Sequence, residues 1–244
     1  QNSFHVIAYD EDLLLDSGYY PAFNNADPHR LEWSVQTKAH NAILVDGAGQ
    51  SWGDTRGHGR VSHFEQHDDW VYLVGSAEHA YPDAPLARFD RHIVWLRGAA
   101  VQTYVIVDEL AGVGDARHRF DWLLHAANRM EIDAGARKVQ VRGRRGEAAV
   151  TFVEPAALTF TQDDQFDAPA VGWRDGVTTP LPNQWHLKAT PPAAARARFV
   201  VVVQVAKPGT EKRAPRAIDG GVEVAGWRVQ LQPANHRLRV EKIP

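Results

Sequence analysis

The segment FVVVVQV, Phe199 to Val205, decides the fold class of this chain. It is continuously apolar except for Gln204, and most of its residues are β-branched. Because neighbouring side chains of a β-strand point to opposite faces, such a run predicts a central strand that is covered on both faces. The segments KVQVRG (138–143) and GWRVQLQ (226–232) instead alternate polar with apolar residues, which indicates strands exposed on one face.

Short apolar segments of this kind recur along the whole chain. They are rich in β-branched and aromatic residues and end at Gly, Pro, Asp or Asn, which is typical of strands. No segment shows a helical period over about 11 residues. We therefore expect an all-β fold, a large antiparallel β-sandwich of stacked sheets with roughly fourteen strands and little or no helix, as a single domain over residues 1–244. The predicted strands are SFHVIAY, LLLDSG, NAILVDG, DWVYLVGSA, RHIVWLRG, TYVIVDEL, HRFDWLLHA, KVQVRG, AAVTFVE, LTFTQ, QWHLKA, ARFVVVVQVA, GVEVAGWRVQLQ and HRLRVEKI.

The composition excludes several classes of protein. The chain has 244 residues, 44% of them hydrophobic, and a formal net charge of −3 at pH 7. This is ordinary for a globular protein and gives no overall attraction to nucleic acid. No apolar run reaches the ~18 residues of a membrane span, so we expect no membrane insertion. The absence of cysteine excludes disulfides, thiolate metal ligands and a cysteine nucleophile.

Three longer stretches, residues 21–37, 50–69 and 163–182, are polar or irregular and predict loops. The second contains three histidines whose spacing would suit a metal only in a helix, so we interpret it as a solvated polar loop; they are His58, His63 and His67. Five further histidines are expected to be partly buried or surface residues with a backbone partner: His5, His118, His125, His186 and His236. No G-x-S-x-G, phosphate-loop or H-E-x-x-H motif is present, and no catalytic residue is assigned.

Asp16 and His40 stand at a different kind of position. Asp16 follows three leucines and precedes a Ser-Gly turn, whereas His40 directly precedes the buried-strand pattern NAILV. If the two strands are antiparallel neighbours, both side chains lie at one edge of the sheet, within hydrogen-bonding or shared-ligand distance. The pair would then be metal ligands, a catalytic pair or a hydrogen bond that fixes the loop, and the residue pattern leaves these alternatives open.

The order of SF-x-V-x-AY, LLLDSGYY, HNAILVDGAGQ, RHIVWLRG and YVIVDEL resembles the C-terminal β-sheet module of heparinase II/III-like polysaccharide lyases. The resemblance is densest from Gln1 to about Leu124. It implies an N-terminal α/α-toroid domain that packs against this module, with the substrate groove between the two. We accordingly expect this chain to be the C-terminal part of a longer lyase, without its toroid domain and of bacterial periplasmic or secreted location.

The resemblance also implies a zinc ion that is held by two histidines and one aspartate. By motif, this chain would supply Asp16 and His40, while the other histidine of the family lies upstream of the first strand. Two protein ligands are fewer than the three of a catalytic zinc site or the four of a structural one. We therefore expect zinc in the intact enzyme and weak or absent occupancy in this chain alone.

The activity implied by the resemblance is β-elimination at a uronic acid of an acidic polysaccharide, of the heparin and heparan sulfate type or the alginate type. The residues predicted to face that substrate are Tyr19, Tyr20, Arg30 and Lys38, the basic ones pairing with carboxylates. The chain alone is expected to be inactive. The alternative, from another class, is a non-catalytic carbohydrate-binding or scaffolding β-sandwich.

Overall fold

The computed structural model describes residues 1–20, 26–52, 57–174 and 177–243. Its elements are short helical turns and antiparallel strands. The turns are a π-helical one at Arg30–Ser34 and two 3-10 turns at Thr37–Ala39 and Glu78–Ala80. The strands are β1 Val6–Ala8, β2 Glu11–Leu14, β3 Ile43–Val45, β4 Arg60–Gln66, β5 Trp70–Ser76, β6 Leu86–Leu96, β7 Val101–Gly112, β8 Phe120–Ala126, β9 Glu131–Asp133, β10 Lys138–Arg142, β11 Glu147–Glu154, β12 Thr159–Asp163, β13 Val171–Arg174, β14 Val177–Pro180, β15 Trp185–Thr190, β16 Arg196–Ala206, β17 Arg216–Ile218, β18 Gly221–Val224, β19 Trp227–Gln232 and β20 Arg237–Lys242.

Strand β16 lies inside the largest sheet, as the apolar run predicts. That sheet has eight strands in the order β4-β5-β6-β7-β16-β11-β10-β9, all antiparallel. Val201 and Val203 contribute to the hydrophobic core on one face of the sheet, and Val200 and Val202 to the core on the other. The prediction of a central strand that is buried on both faces is confirmed.

A smaller sheet covers each face of the large one, so the fold has three stacked layers. On one face the first core joins the large sheet to the four-stranded sheet β12-β15-β8-β3 through side chains such as Trp122, Leu124 and Leu187. On the other face the second core joins it to β17-β18-β19-β20 through Val222 and Val229. The predicted all-β fold of stacked sheets is confirmed.

Every predicted strand segment overlaps an observed strand, but the chain forms more strands than roughly fourteen. GVEVAGWRVQLQ is a hairpin of β18 and β19, because Ala225 and Gly226 adopt positive φ angles of 53° and 81°. Five short or exposed strands were not predicted: β4, β9, β13, β14 and β17. Strand β4 corrects the prediction of one polar loop over residues 50–69. It lies at the edge of the large sheet and is mostly exposed, so its composition carries no apolar alternation.

A buried ion pair connects the large sheet with the N-terminal segments. The Arg91 guanidinium donates two hydrogen bonds to Asp108, at 2.6 and 2.9 Å, and the Trp122 indole donates a third to the same carboxylate. The second terminal nitrogen of Arg91 donates to the backbone carbonyls of Asn2 and Asn41, each at 2.6 Å. These bonds fix the start of the chain beside the segment that contains His40.

No helix in the described ranges is long and apolar enough to cross a membrane.

Candidate functional site

The structure brings Asp16 and His40 together. His40 Nδ1 lies 3.1 Å from Asp16 Oδ1, so the expected contact is confirmed. The expected reason for it was wrong, because β2 pairs with β1 while β3 pairs with β8 in another sheet. The contact arises from the segments beside the strands, where the Ser17 amide donates to the Ala39 carbonyl at 2.6 Å.

Asn41 holds these segments in place. This fully buried side chain donates from Nδ2 to the carbonyls of Phe4 and Leu15, at 2.8 and 3.1 Å. Its Oδ1 accepts the amide of His125 at 2.8 Å. One amide group therefore joins three parts of the chain directly beneath the Asp16–His40 contact.

The pair lines a small cavity of about 200 Å³ together with Gln1, Ser3 and Gln50. Burial raises the pKa of the Asp16 carboxyl. Hydrogen bonds from His40 and Ser3 and the charge of the His40 imidazole lower it by a larger amount, so the net pKa lies below its ordinary value. Ser3 Oγ donates to Asp16 Oδ1 at 3.0 Å. Asp16 is therefore ionised at neutral pH, which is the state that binds a cation.

The donor chemistry of this pair fits one half of a zinc site. Carboxylate and imidazole are both zinc ligands, and two ligands of one tetrahedral zinc lie about 3.3 Å apart. The observed 3.1 Å between the two donor atoms is close to that separation. Within the part of the chain that the structure describes, no group of three or more His, Cys, Asp or Glu side chains is placed to hold a metal ion. These residues alone therefore do not complete a zinc site.

The four predicted substrate residues lie near one another in sequence but do not line one cavity. Tyr19 Oη donates to the Pro182 carbonyl at 2.8 Å, and burial raises the pKa of this phenol. Tyr20 is 65% exposed and donates from Oη to the Ser34 carbonyl. Arg30 stacks over the Trp52 ring at 5.8 Å. Only Lys38, of these four, lines the polar pocket described below.

That pocket, of about 410 Å³, lies on the outer face of the four-stranded sheet β12-β15-β8-β3. Because Trp122, Leu124 and Leu187 point inward to the core, the alternate residues His125 and His186 point outward to the pocket. From the sequence, both histidines were expected to be partly buried or surface residues with a backbone partner. The strict alternation of WHLKA, residues 185–189, is the signal that could have placed His186 on the outer face.

The two histidines of the pocket are both held neutral. Burial lowers the pKa of His125 to about 3. His125 Nε2 lies 2.9 Å from the Lys38 carbonyl, which is the backbone partner expected for it. Burial also lowers the pKa of His186, against the opposing effect of Asp163. The pocket floor therefore carries hydrogen-bonding groups rather than positive charge.

A group of aromatic rings lies beside the pocket, and two of them, Trp33 and His186, line it. The Phe166 ring contacts His29, Trp33 and His186, with ring centroids 4.8, 5.3 and 5.4 Å apart. The Lys38 ammonium lies over Trp33 and forms an ion pair with Asp167. Segments 26–40 and 163–170 thus form one wall.

Residues 1–218 match the family described as heparinase II/III-like, C-terminal. Since the match spans most of the chain, this chain belongs to that family, the C-terminal domain of a family of polysaccharide lyases. No curated protein sequence matches it significantly.

Solved structures show the same fold. The heparan sulfate lyase HepC from Pedobacter heparinus superposes with a TM-score of 0.65 at 13% identity, over 99% of this chain and 36% of that chain. A heparinase III with methylated lysines gives a TM-score of 0.65 at 13% identity, over 99% of this chain and 35% of that chain. The chain thus spans about a third of the length of these lyases.

Proposed function

We propose that this chain is the β-sheet module of a polysaccharide lyase that cleaves a uronic-acid-containing polysaccharide by β-elimination. Family membership supports the reaction class. The observation within the chain that carries the proposal is the Asp16–His40 contact. An ionised carboxylate and an imidazole meet there at a cavity, and hydrophobic packing does not account for their contact.

The second part of the proposal concerns zinc. Asp16 and His40 would be two of its ligands, and a histidine outside this chain would be the third. Gln1 lines the same cavity as both residues, so residues joined to its amino group would enter the structure beside the pair. When bound, zinc would hold the neighbouring segments together or polarise a substrate oxygen.

The elimination itself needs a base and an acid. The base takes the proton from C5 of the uronate, the electron pair forms the C4–C5 double bond, and the acid protonates O4 as the C4–O4 bond breaks. A neutralised carboxylate makes the C5 proton acidic enough to leave. We assign neither catalytic role to this chain, whose part is one wall of the groove. Arg30, which lies over the Trp52 ring, would pair with a uronate carboxylate, and Lys38 would do so in exchange for Asp167.

The test compares this chain with the full gene-encoded protein that contains it. Each is incubated with heparan sulfate and with alginate, and the ultraviolet absorbance of the unsaturated uronate product is followed. We expect product from the full protein on one of the two polymers and none from the chain alone. Absence of product from the full protein on both polymers contradicts the proposal and favours a binding or scaffolding sandwich.

A further inference from the structure

The outer edge of β4 lacks the usual protection of a sheet edge. β4 ends the eight-stranded sheet, and no strand in the described ranges pairs with its outer side. Edge strands are commonly protected against self-association by lysine, by proline or by shortness. β4 has seven residues, RVSHFEQ, with neither lysine nor proline among them. It exposes two large apolar side chains instead, Val61 at 71% and Phe64 at 62%.

A bulge places both of these side chains on one face of the sheet. Val61 lies opposite Gly75 and Phe64 opposite Leu73, and the register of the two strands shifts between Val61 and Phe64. Because Leu73 and Gly75 are two residues apart on β5, they point to the same face, and the residues opposite them do so as well. Val61 and Phe64 therefore form one apolar strip at the sheet edge, continuous with the half-buried Leu73.

The backbone of Phe64 faces outward from the sheet. The His67 amide donates to the Trp70 carbonyl at 2.8 Å, so these two opposite residues are a hydrogen-bonded pair. Such pairs alternate with non-hydrogen-bonded pairs along an antiparallel ladder. Gln66 and Phe64, one and three residues further from the turn, therefore belong to pairs that are not bonded to β5. Their N–H and C=O groups point away from β5, where an added strand would meet them.

The other face of β4 carries polar side chains that complement a second copy of themselves. Glu65 Oε1 lies 2.7 Å from His67 Nε2, and Glu65 Oε2 lies 3.4 Å from His63 Nε2. The hydrogen bond from His67 lowers the pKa of Glu65, which is therefore an anion at neutral pH. If two copies of β4 run antiparallel with Phe64 opposite Phe64, His63 of each copy lies opposite Glu65 of the other.

We propose that β4 pairs antiparallel with β4 of a second copy of this protein, about a two-fold axis between the two Phe64 residues. The two eight-stranded sheets then form one continuous sheet. The Phe64 side chains cover each other, and the symmetry makes two pairs of an imidazole with a carboxylate. The pairing ends at the bulge residue Ser62, whose carbonyl accepts from Arg237 at 3.4 Å. So short an edge buries less than the ~800 Å² per partner of a standard interface, and we expect a dimer of micromolar or weaker affinity.

Sedimentation of the full gene-encoded protein, at concentrations from about 1 µM to about 100 µM, tests the proposal. Wild type should change from monomer to dimer as the concentration rises. Phe64→Lys should stay a monomer, because it places two ammonium groups side by side at the axis. The matched control is Val113→Lys, at a residue that is 56% exposed and lies outside β4, and it should associate like wild type.

Two further variants test the register, because they should associate with each other but not with themselves. His63→Glu places two carboxylates opposite each other, and Glu65→His removes both carboxylates, so each variant alone should dimerise at least about tenfold more weakly than wild type. In an equimolar mixture, the carboxylates of the first variant face the imidazoles of the second at both positions. The mixture should therefore recover dimerisation. It leaves the contacts within each chain unchanged, so the recovery cannot come from restored folding.

Three results would overturn the proposal. The first is a wild-type protein that stays monomeric over the whole concentration range, which would show that the edge is covered within one copy. The second is equal association of Phe64→Lys and Val113→Lys. The third is a mixture of His63→Glu and Glu65→His that dimerises no better than either variant alone. None of these measurements requires lyase activity, so failure of the proposed function leaves them interpretable.

Discussion

Asn41 is the residue on which the geometry of the candidate site depends most. In the sequence Asn41 lies beside His40 in an apolar context, where burial of its side chain without hydrogen-bond partners would be unfavourable. The side chain hydrogen-bonds to Phe4, Leu15 and His125, which come from three separate segments. The contact of Asp16 with His40 follows from this bridge.

We expect Asn41→Ala to lower the free energy of unfolding by about 2–4 kcal/mol, because two carbonyls and one amide lose their partner in the interior. Urea denaturation measures the change. The matched control is Asn128→Ala, since Asn128 is exposed and donates to a single carbonyl, that of Arg142. Equal effects of the two substitutions would show that Asn41 does not organise the site.

The lowered pKa of Asp16 makes a pH-dependent prediction. A carboxyl whose folded-state pKa is depressed stabilises the fold above its unfolded pKa of about 3.9, and this stabilisation is lost as the pH falls through the folded pKa. Asp16→Asn should therefore cost about 0.5–1 kcal/mol at pH 7, because the side chain is 44% exposed and solvent screens the pair. The cost should shrink below about pH 4.

The measurement is urea denaturation of wild type and Asp16→Asn at several pH values, with Asp68→Asn as the control at an exposed turn position. A difference that stays constant down to pH 2 would show that Asp16 is not stabilised as an anion by His40.

At the scale of the element, β16 is buried on two faces and should be equally sensitive at adjacent positions. Val201→Ala and Val202→Ala each remove two carbon atoms from a different core and should each cost about 2–3 kcal/mol. Val113→Ala, at a residue that is 56% exposed, should change stability by less than about 0.5 kcal/mol. Thermal or chemical denaturation of the three variants distinguishes a central strand from one that is exposed on a single face.

The elements that could be predicted from the sequence are those whose burial leaves a pattern. Apolar, β-branched side chains predict the strands β7, β11 and β16. β4 and β17 could not be predicted, because edge strands meet solvent and obtain their regularity from backbone pairing with a neighbour.

The same distinction holds for the candidate sites. Asp16 and His40 could be identified because each lies beside a strongly apolar run. The contacts of His186 could not be predicted, since Ser17 and His186 are 169 residues apart and meet only through the packing of segments 13–20 and 185–190. Their hydrogen bond is a product of tertiary structure.

At the scale of the whole molecule, the two cavities are neighbours that share a lining residue. Thr37 lines both, and Gln1 lines the one that contains Asp16 and His40. The buried Arg91–Asp108 pair holds the start of the chain beside the segment that contains His40, because Arg91 also donates to the carbonyls of Asn2 and Asn41.

Loss of the Arg91–Asp108 pair should lower the free energy of unfolding markedly. Arg91→Ala leaves Asp108 as an uncompensated buried charge and should lower stability by about 3–5 kcal/mol. Arg144→Ala, at a side chain that is 90% exposed, should have almost no effect. Urea denaturation compares the two, and a loss below about 1 kcal/mol for Arg91→Ala would contradict the role given to this pair.

We propose that Asp16 and His40 are ligands of a metal in the intact protein, and the zinc content of the full gene-encoded protein tests this proposal most directly. After dialysis against metal-free buffer, elemental analysis should give about one zinc per chain for wild type. It should give far less for Asp16→Asn and His40→Asn, while His67→Asn, in the surface His67–Glu65 pair with a 2.7 Å contact, should retain the wild-type content. Undiminished zinc in Asp16→Asn and His40→Asn, or no zinc in the wild-type protein, would contradict the claim.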